Sequence, residues 1–196
     1  MESKLLEPRS LIAQILEESI QVQRVVLEES VPLVSCIVEA LVATFRCGGK
    51  VLLFGNGGSA ADAQHVAAEL VNRFLMERKP LPALALTTDT SIMTAMANDL
   101  GFECVFARQV EALVQPGDVV VGLSTSGNSE NVLQGLHSAR ECGATTVGLT
   151  GRAGGKLKGV ADICFCAPSD NTPRIQEAHI TVLHAICEAV ERELFD

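Results

Sequence analysis

Between residues 51 and 168 the apolar residues gather into five short, nearly unbroken runs: VLLFG (51–55), ALALTT (83–88), DVVVGLST (118–125), TTVGLTG (145–151) and ICFCAP (163–168). A strand with one wet face alternates apolar and polar positions, whereas a continuous run suits a strand covered on both faces. Amphipathic stretches or short loops separate the runs. This alternation predicts an α/β fold, a doubly wound five-stranded parallel sheet.

Outside that region the period becomes helical. SLIAQILEESIQVQRVVLEES (10–30) carries Leu11, Ile15, Val22, Val25 and Val26 at helical spacing. VPLVSCIVEALVATFRCGG (31–49) predicts a second helix, with Pro32 suited to its first turn and Gly48 to its end. PRIQEAHITVLHAICEAVERELF (173–195) predicts a long C-terminal helix. No linker, repeat or low-complexity segment interrupts the chain. Residues 1–196 are therefore expected to form one domain, with 1–48 as an N-terminal helical extension.

Composition narrows the class. The 196 residues are 47% hydrophobic and 20% charged, the balance of a globular protein with a real core. A formal charge of −9 argues against broad nucleic-acid binding. No apolar run approaches the roughly 18 residues a membrane span needs, so no membrane partner is expected. MESKLLEPRS (1–10) lacks the apolar core of a secretory signal, which points to the cytoplasm. The seven cysteines are scattered, odd in number and without a C-x-x-C pair, so reduced, mostly buried thiols are expected.

In doubly wound sheets ligands bind beyond the carboxyl ends of the strands. The third run leads into LSTSGNSENV (123–132), where Ser124, Ser126 and Ser129 offer hydroxyls, Gly127 allows close approach, and Asn128 or Ser129 can cap the next helix. Such a turn suits an anion in an acidic protein, through neutral donors and a helix N-terminus. There is no G-x-x-x-x-G-K-[ST] sequence, and in GNGGS the last glycine position of a dinucleotide fingerprint is Ala60. A sugar phosphate suits the turn better than a nucleotide.

The first run continues through FGNGGS into a helix, with Ser59 as the expected cap. His65 and Glu69 are four apart and share a face of it. They suit a surface ion pair, a metal site, or a base beside a polarising imidazole. On the C-terminal helix, Gln176 and His184 are about 80° apart round the axis and about 12 Å apart along it. Reaching one small ion then requires a loosened helix start at Gln176 or residues from more than one subunit. Flanked by Val182, Leu183, Ala185 and Ile186, His184 alone reads as a core or interface histidine.

In matching order, FGNGGSAADAQHVAAEL (54–70), AMANDLGFE (95–103), GLSTSGNSENV (122–132), LTGRAGG (149–155) and RIQEAHITVLH (174–184) resemble the phosphoheptose isomerases of the sugar-isomerase (SIS) superfamily. The resemblance implies a flavodoxin-like SIS fold, N-terminal helices that build the oligomer, and a homotetramer with active sites at subunit interfaces. It implies interconversion of D-sedoheptulose 7-phosphate and D-glycero-D-manno-heptose 7-phosphate through an enediol, on the way to lipopolysaccharide or other glycans. By position, Glu69 and His184 match the acid–base pair, and His65, Glu69, Gln176 and His184 match the ligands of one zinc per subunit. Substrate contacts match Asn56, Gly57, Gly58, Ser59, Glu69, Asn98, Asp99, Ser124, Thr125, Ser126, Ser129 and Gln176. Pro173 replaces a polar residue of some members, and the first ten residues match nothing in the family. Two alternatives stand beside it: a non-catalytic SIS module that binds a phosphosugar, and an isomerase of another ketose phosphate.

Overall fold

Every residue of Val51–Gly55 and of Val119–Leu123 is buried, as strands covered on both faces must be. A computed structural model describes residues 7–196. The absence of a secretory leader was expected from residues 1–10, of which 1–6 lie outside the described residues.

The chain opens with α1 (Pro8–Glu29) and α2 (Val31–Arg46), then β1 (Val51–Gly55), α3 (Gly58–Val71) and β2 (Ala83–Ala85). There follow α4 (Thr90–Asp99), a 3-10 turn (Phe102–Cys104), α5 (Ala107–Leu113), β3 (Val119–Leu123) and α6 (Glu130–Glu141). It ends with β4 (Thr145–Thr150), α7 (Leu157–Val160), β5 (Ile163–Cys166) and α8 (Thr172–Phe195). The five strands are those the apolar runs predict, although four are shorter than their runs. The trailing residues, such as Leu86–Thr88 and Ser124–Thr125, belong to the loops that leave the sheet's carboxyl edge.

All strand pairs are parallel, in the order β2-β1-β3-β4-β5. Alternate residues of each strand enter different cores. Leu53, Val121 and Leu149 pack with Ile37 and Leu41 of α2, Val66 and Leu70 of α3, and Leu183 and Ile186 of α8. Leu52, Phe54 and Val120 pack on the other side with Phe106 and Val110 of α5 and Leu136 of α6. There Phe54 and Phe106 stack with centroids 4.8 Å apart. The strand order reverses between β1 and β3, and such a switch point opens a crevice above the carboxyl edge.

The long first helix is only partly covered. Val26 is buried, but Leu11, Ile12, Leu16, Ile20 and Leu27 are exposed. Arg174 of α8 anchors it, donating from Nη1 to the Ile15 carbonyl at 3.0 Å while forking onto Glu177.

The cysteines depart from expectation. All seven are free, but only Cys187 is buried, and Cys36 and Cys47 are exposed. An apolar sequence neighbourhood does not bury a helical residue whose own face turns outward. Among the described residues, no helix is long and apolar enough to cross a membrane.

Candidate active site

At the switch point β1 ends in Gly55 and the chain turns through Asn56 into α3. The helix is capped by Gly57 with no side-chain cap bond, which corrects the expectation for Ser59. Ser59 instead lies buried inside the first turn. A Cβ at Gly58 would overlap the end of the Gln176 side chain, which a larger residue there would push aside. Asn56 is held by Asn131 in the first turn of α6: each carboxamide donates to the other at 2.9 Å.

The serine turn after β3 gathers its hydroxyls. Ser124 Oγ lies 2.9 Å from Ser129 Oγ and 3.4 Å from Ser126 Oγ. Asn128 N donates to Ser126 Oγ at 3.2 Å. Ser129 is the N-cap residue of α6, but its hydroxyl serves Ser124 rather than the helix. Gly127 has φ +66°, and a Cβ there would overlap the Gly154 carbonyl. Residues 151–157 brace the turn from behind: Lys156 N donates to Asn128 Oδ1 and Leu157 N to the Gly127 carbonyl. Thr125 and Ser126 open on a small cavity lined also by Gly151, Arg152 and Thr172.

Further along α3, His65 and Glu69 face α8. His65 Nε2 lies 3.2 Å from Glu69 Oε1 and 3.0 Å from His184 Nε2. The imidazoles meet through these nitrogens with centroids 5.0 Å apart. His184 is half-exposed; the buried histidine of α8 is His179, whose Nε2 bonds the Thr150 carbonyl at 3.0 Å. Burial lowers the His179 pKa to about 4 despite that bond.

Two signals were overlooked in the sequence. Asp62, one turn before His65, holds a buried Oδ2 without a hydrogen-bond partner. Burial raises its pKa, against the pull of His65 and His184. Its spacing in DAQH offered a hint, since i and i+3 share a helix face. Phe74, beyond the end of α3, stacks on His184 with centroids 5.5 Å apart, and nothing local in the sequence announces it.

Gln176 and His184 both sit in regular α8. The expectation of a loosened helix start at Gln176 is thus corrected: Gln176 meets Gly58 at the start of α3 and His184 meets His65 further on. Asn98 and Asp99 are not gathered with the rest. They end α4, exposed, and bond each other at 2.7 Å.

Residues 14–151 match the SIS domain family. A phosphoheptose isomerase of Roseiflexus sp. is 60% identical over 181 residues, 92% of this chain and 92% of the relative. The chain belongs to the phosphoheptose isomerase family of SIS-domain proteins. Another family member, from Aquifex aeolicus, is 56% identical over 180 residues, 92% of this chain and 94% of its own. The structure of the phosphoheptose isomerase of Neisseria gonorrhoeae superposes with a TM-score of 0.91 at 41% identity, covering 95% of this chain and all of that one. The molecule is a sugar-phosphate isomerase.

The donor set suits a divalent ion in type. Two imidazole nitrogens and a carboxylate oxygen lie 3.0 and 3.2 Å apart, close to the roughly 3.3 Å between ligand atoms of a tetrahedral zinc with bonds of about 2.0–2.1 Å. The unpartnered Asp62 oxygen lies one turn before His65 on the same helix. As placed, however, Glu69, His65 and His184 form only a chain of contacts, and among the described residues no group of three or more His, Cys, Asp or Glu side chains is set to hold a metal ion.

Proposed function

We propose that this isomerase interconverts D-sedoheptulose 7-phosphate and D-glycero-D-manno-heptose 7-phosphate through an enediol. The observation that carries the reading is the meeting of His65, Glu69 and His184 between α3 and α8, and the gathered hydroxyls of the three-serine turn after β3 support it. Ketose–aldose exchange moves a proton between C1 and C2. It needs a base at carbon, a proton carrier at oxygen and stabilisation of the enediolate. Glu69 and His184 share the proton transfers from facing helices. The serine hydroxyls and the N-terminus of α6 anchor the phosphate, and this remote binding positions the reacting end. The backbone of Asn56, Gly57 and Gly58 lies along the sugar between them.

His65, Glu69 and His184, with Gln176 supplied across a subunit interface, would hold one zinc ion per subunit, which when bound supplies Lewis-acid polarisation of the C1 and C2 oxygens. We further infer a single SIS domain acting as a homotetramer with active sites at subunit interfaces, built by residues 1–48. The exposed apolar face of α1 supports this, as does the separation of Asn98 and Asp99 from the other substrate residues. The reading places the protein in the cytoplasm, supplying heptose for lipopolysaccharide or other glycans.

The test is NMR of purified protein with sedoheptulose 7-phosphate, with zinc supplied and after chelation, beside Glu69→Gln. Appearance of the aldoheptose phosphate with wild type and zinc, and its loss in Glu69→Gln, is the expected result. Substantial turnover by Glu69→Gln removes Glu69 from catalysis, and full activity in demonstrably metal-free protein removes zinc. No conversion at all transfers the reading to another ketose phosphate or to a phosphosugar-binding module.

A further inference from the structure

We propose that Phe74 is a positioning residue for His184, and that the buried Arg78–Glu191 pair holds it in place. The proposal rests on the acid–base role given to His184 above. After α3 the chain runs irregularly towards β2, and one carboxylate of α8 organises that segment. Glu191 accepts hydrogen bonds from the backbone N–H groups of Phe74 at 2.7 Å, Leu75 at 2.8 Å and Met76 at 3.1 Å. It also accepts from Arg78 Nε at 2.8 Å. Arg78 turns back to α3, donating from Nη2 to the Glu69 carbonyl at 2.9 Å and from Nη1 to the Leu70 carbonyl at 2.7 Å.

Both side chains are enclosed, at 1% exposure for Arg78 and 0% for Glu191. An enclosed ion pair is a poor source of stability, because desolvation cancels most of its attraction and an apolar pair of equal volume is often as stable. What four directed bonds to one carboxylate add is a single path for the segment. Burial acts to raise the Glu191 pKa, but three backbone N–H groups and Arg78 bring it below the ordinary value, so it stays charged.

That path has one consequence at the crevice. It turns Phe74 inward, ring against the His184 imidazole at an interplanar angle of 27°, while Leu75 beside it is 60% exposed. His184 is thereby held between the Phe74 ring and His65. The same arginine closes the turn of α3 that carries Glu69. One buried pair thus ties together the two helices that bear the proposed acid and base.

Steady-state kinetics on sedoheptulose 7-phosphate, with melting temperatures and histidine-labelled NMR, test this in Phe74→Leu, Phe74→Tyr and Glu191→Gln. In Phe74→Leu, kcat is expected to fall about tenfold, the lower end for loss of a supporting residue, while KM stays within about twofold. Phe74→Tyr, which keeps the ring, retains kcat. The His184 ring signals, identified by their absence in His184→Gln, lose the ring-current shift in Phe74→Leu and keep it in Phe74→Tyr. Glu191→Gln follows Phe74→Leu if it folds, and if it does not, Phe74→Leu decides. Full kcat in Phe74→Leu, a rise in KM alone, or unmoved His184 signals overturns the positioning role while the substrate reading stands. A wild type that leaves the substrate untouched overturns that reading, and this role with it.

Discussion

Asn56 and Asn131 exchange both of their side-chain amide bonds, each at 2.9 Å, across the crevice between β1 and β3. The pair ties the turn that starts α3 to the first turn of α6, so the glycine turn after β1 and the serine turn after β3 share one frame. Asn131 is 3% exposed, and neither carboxamide has another side-chain partner in the described residues.

Asn131→Leu keeps the branched outline, with somewhat larger methyl groups, and leaves the Asn56 carboxamide without its partner. It is expected to destabilise the fold by about 1–3 kcal/mol, the cost of stranding a largely buried polar group. Urea unfolding measures this. A loss well under the lower figure would mean that water replaces Asn131 without penalty.

Ser126 is exposed, its Oγ accepts the Asn128 N–H, and only a long 3.4 Å contact to Ser124 Oγ competes for its rotatable hydroxyl. Ser126→Ala should raise KM for the sugar phosphate about tenfold, the worth of one hydrogen bond to a charged acceptor. Inhibition by inorganic phosphate should weaken in parallel. An unchanged KM would remove Ser126 from the phosphate anchor.

His179 predicts a pH dependence of stability. Its ordinary pKa near 6.5 falls to about 4 in the fold, so between these values the unfolded chain binds more protons than the native one. Its contribution is present above pH 6.5 and is lost as the pH falls towards 4. Between pH 7 and pH 5 the loss amounts to about 2 kcal/mol. Denaturant unfolding of wild type and His179→Gln at both values should show the wild type losing that much more stability than the variant. Equal losses would show that His179 titrates normally in the fold.

The strands and the serine turn were legible in the sequence because both are local signals. An unbroken apolar run needs no partner to be recognised, and hydroxyls clustered after such a run fall at a binding edge wherever the sheet is parallel. Strand ends were less legible. ALALTT supports pairing through residue 88, yet β2 stops at Ala85, since the edge strand pairs with β1 only from Val51 to Leu53. The cap of α3 was misplaced because Ser59 has the right side chain, while the backbone turns two residues earlier, at Gly57.

Hydrophobic patterning by itself determined the layers of this protein, since burial on two faces of a strand and one face of a helix is written residue by residue. The chain's motifs likewise determined its family. Only the tertiary structure decided which groups meet. His179 and His184 are five apart, hence about 140° apart round the same helix, and their apolar neighbours are alike. Packing against β4 and β5 sends His179 into the core at Thr150 and Phe165. Packing against α3 brings His184 to His65, and a carboxylate seven residues later in α8 brings Phe74 to its ring. These meetings are long-range consequences of how two helices and a loop lie on one sheet, and no window of neighbouring residues contains them.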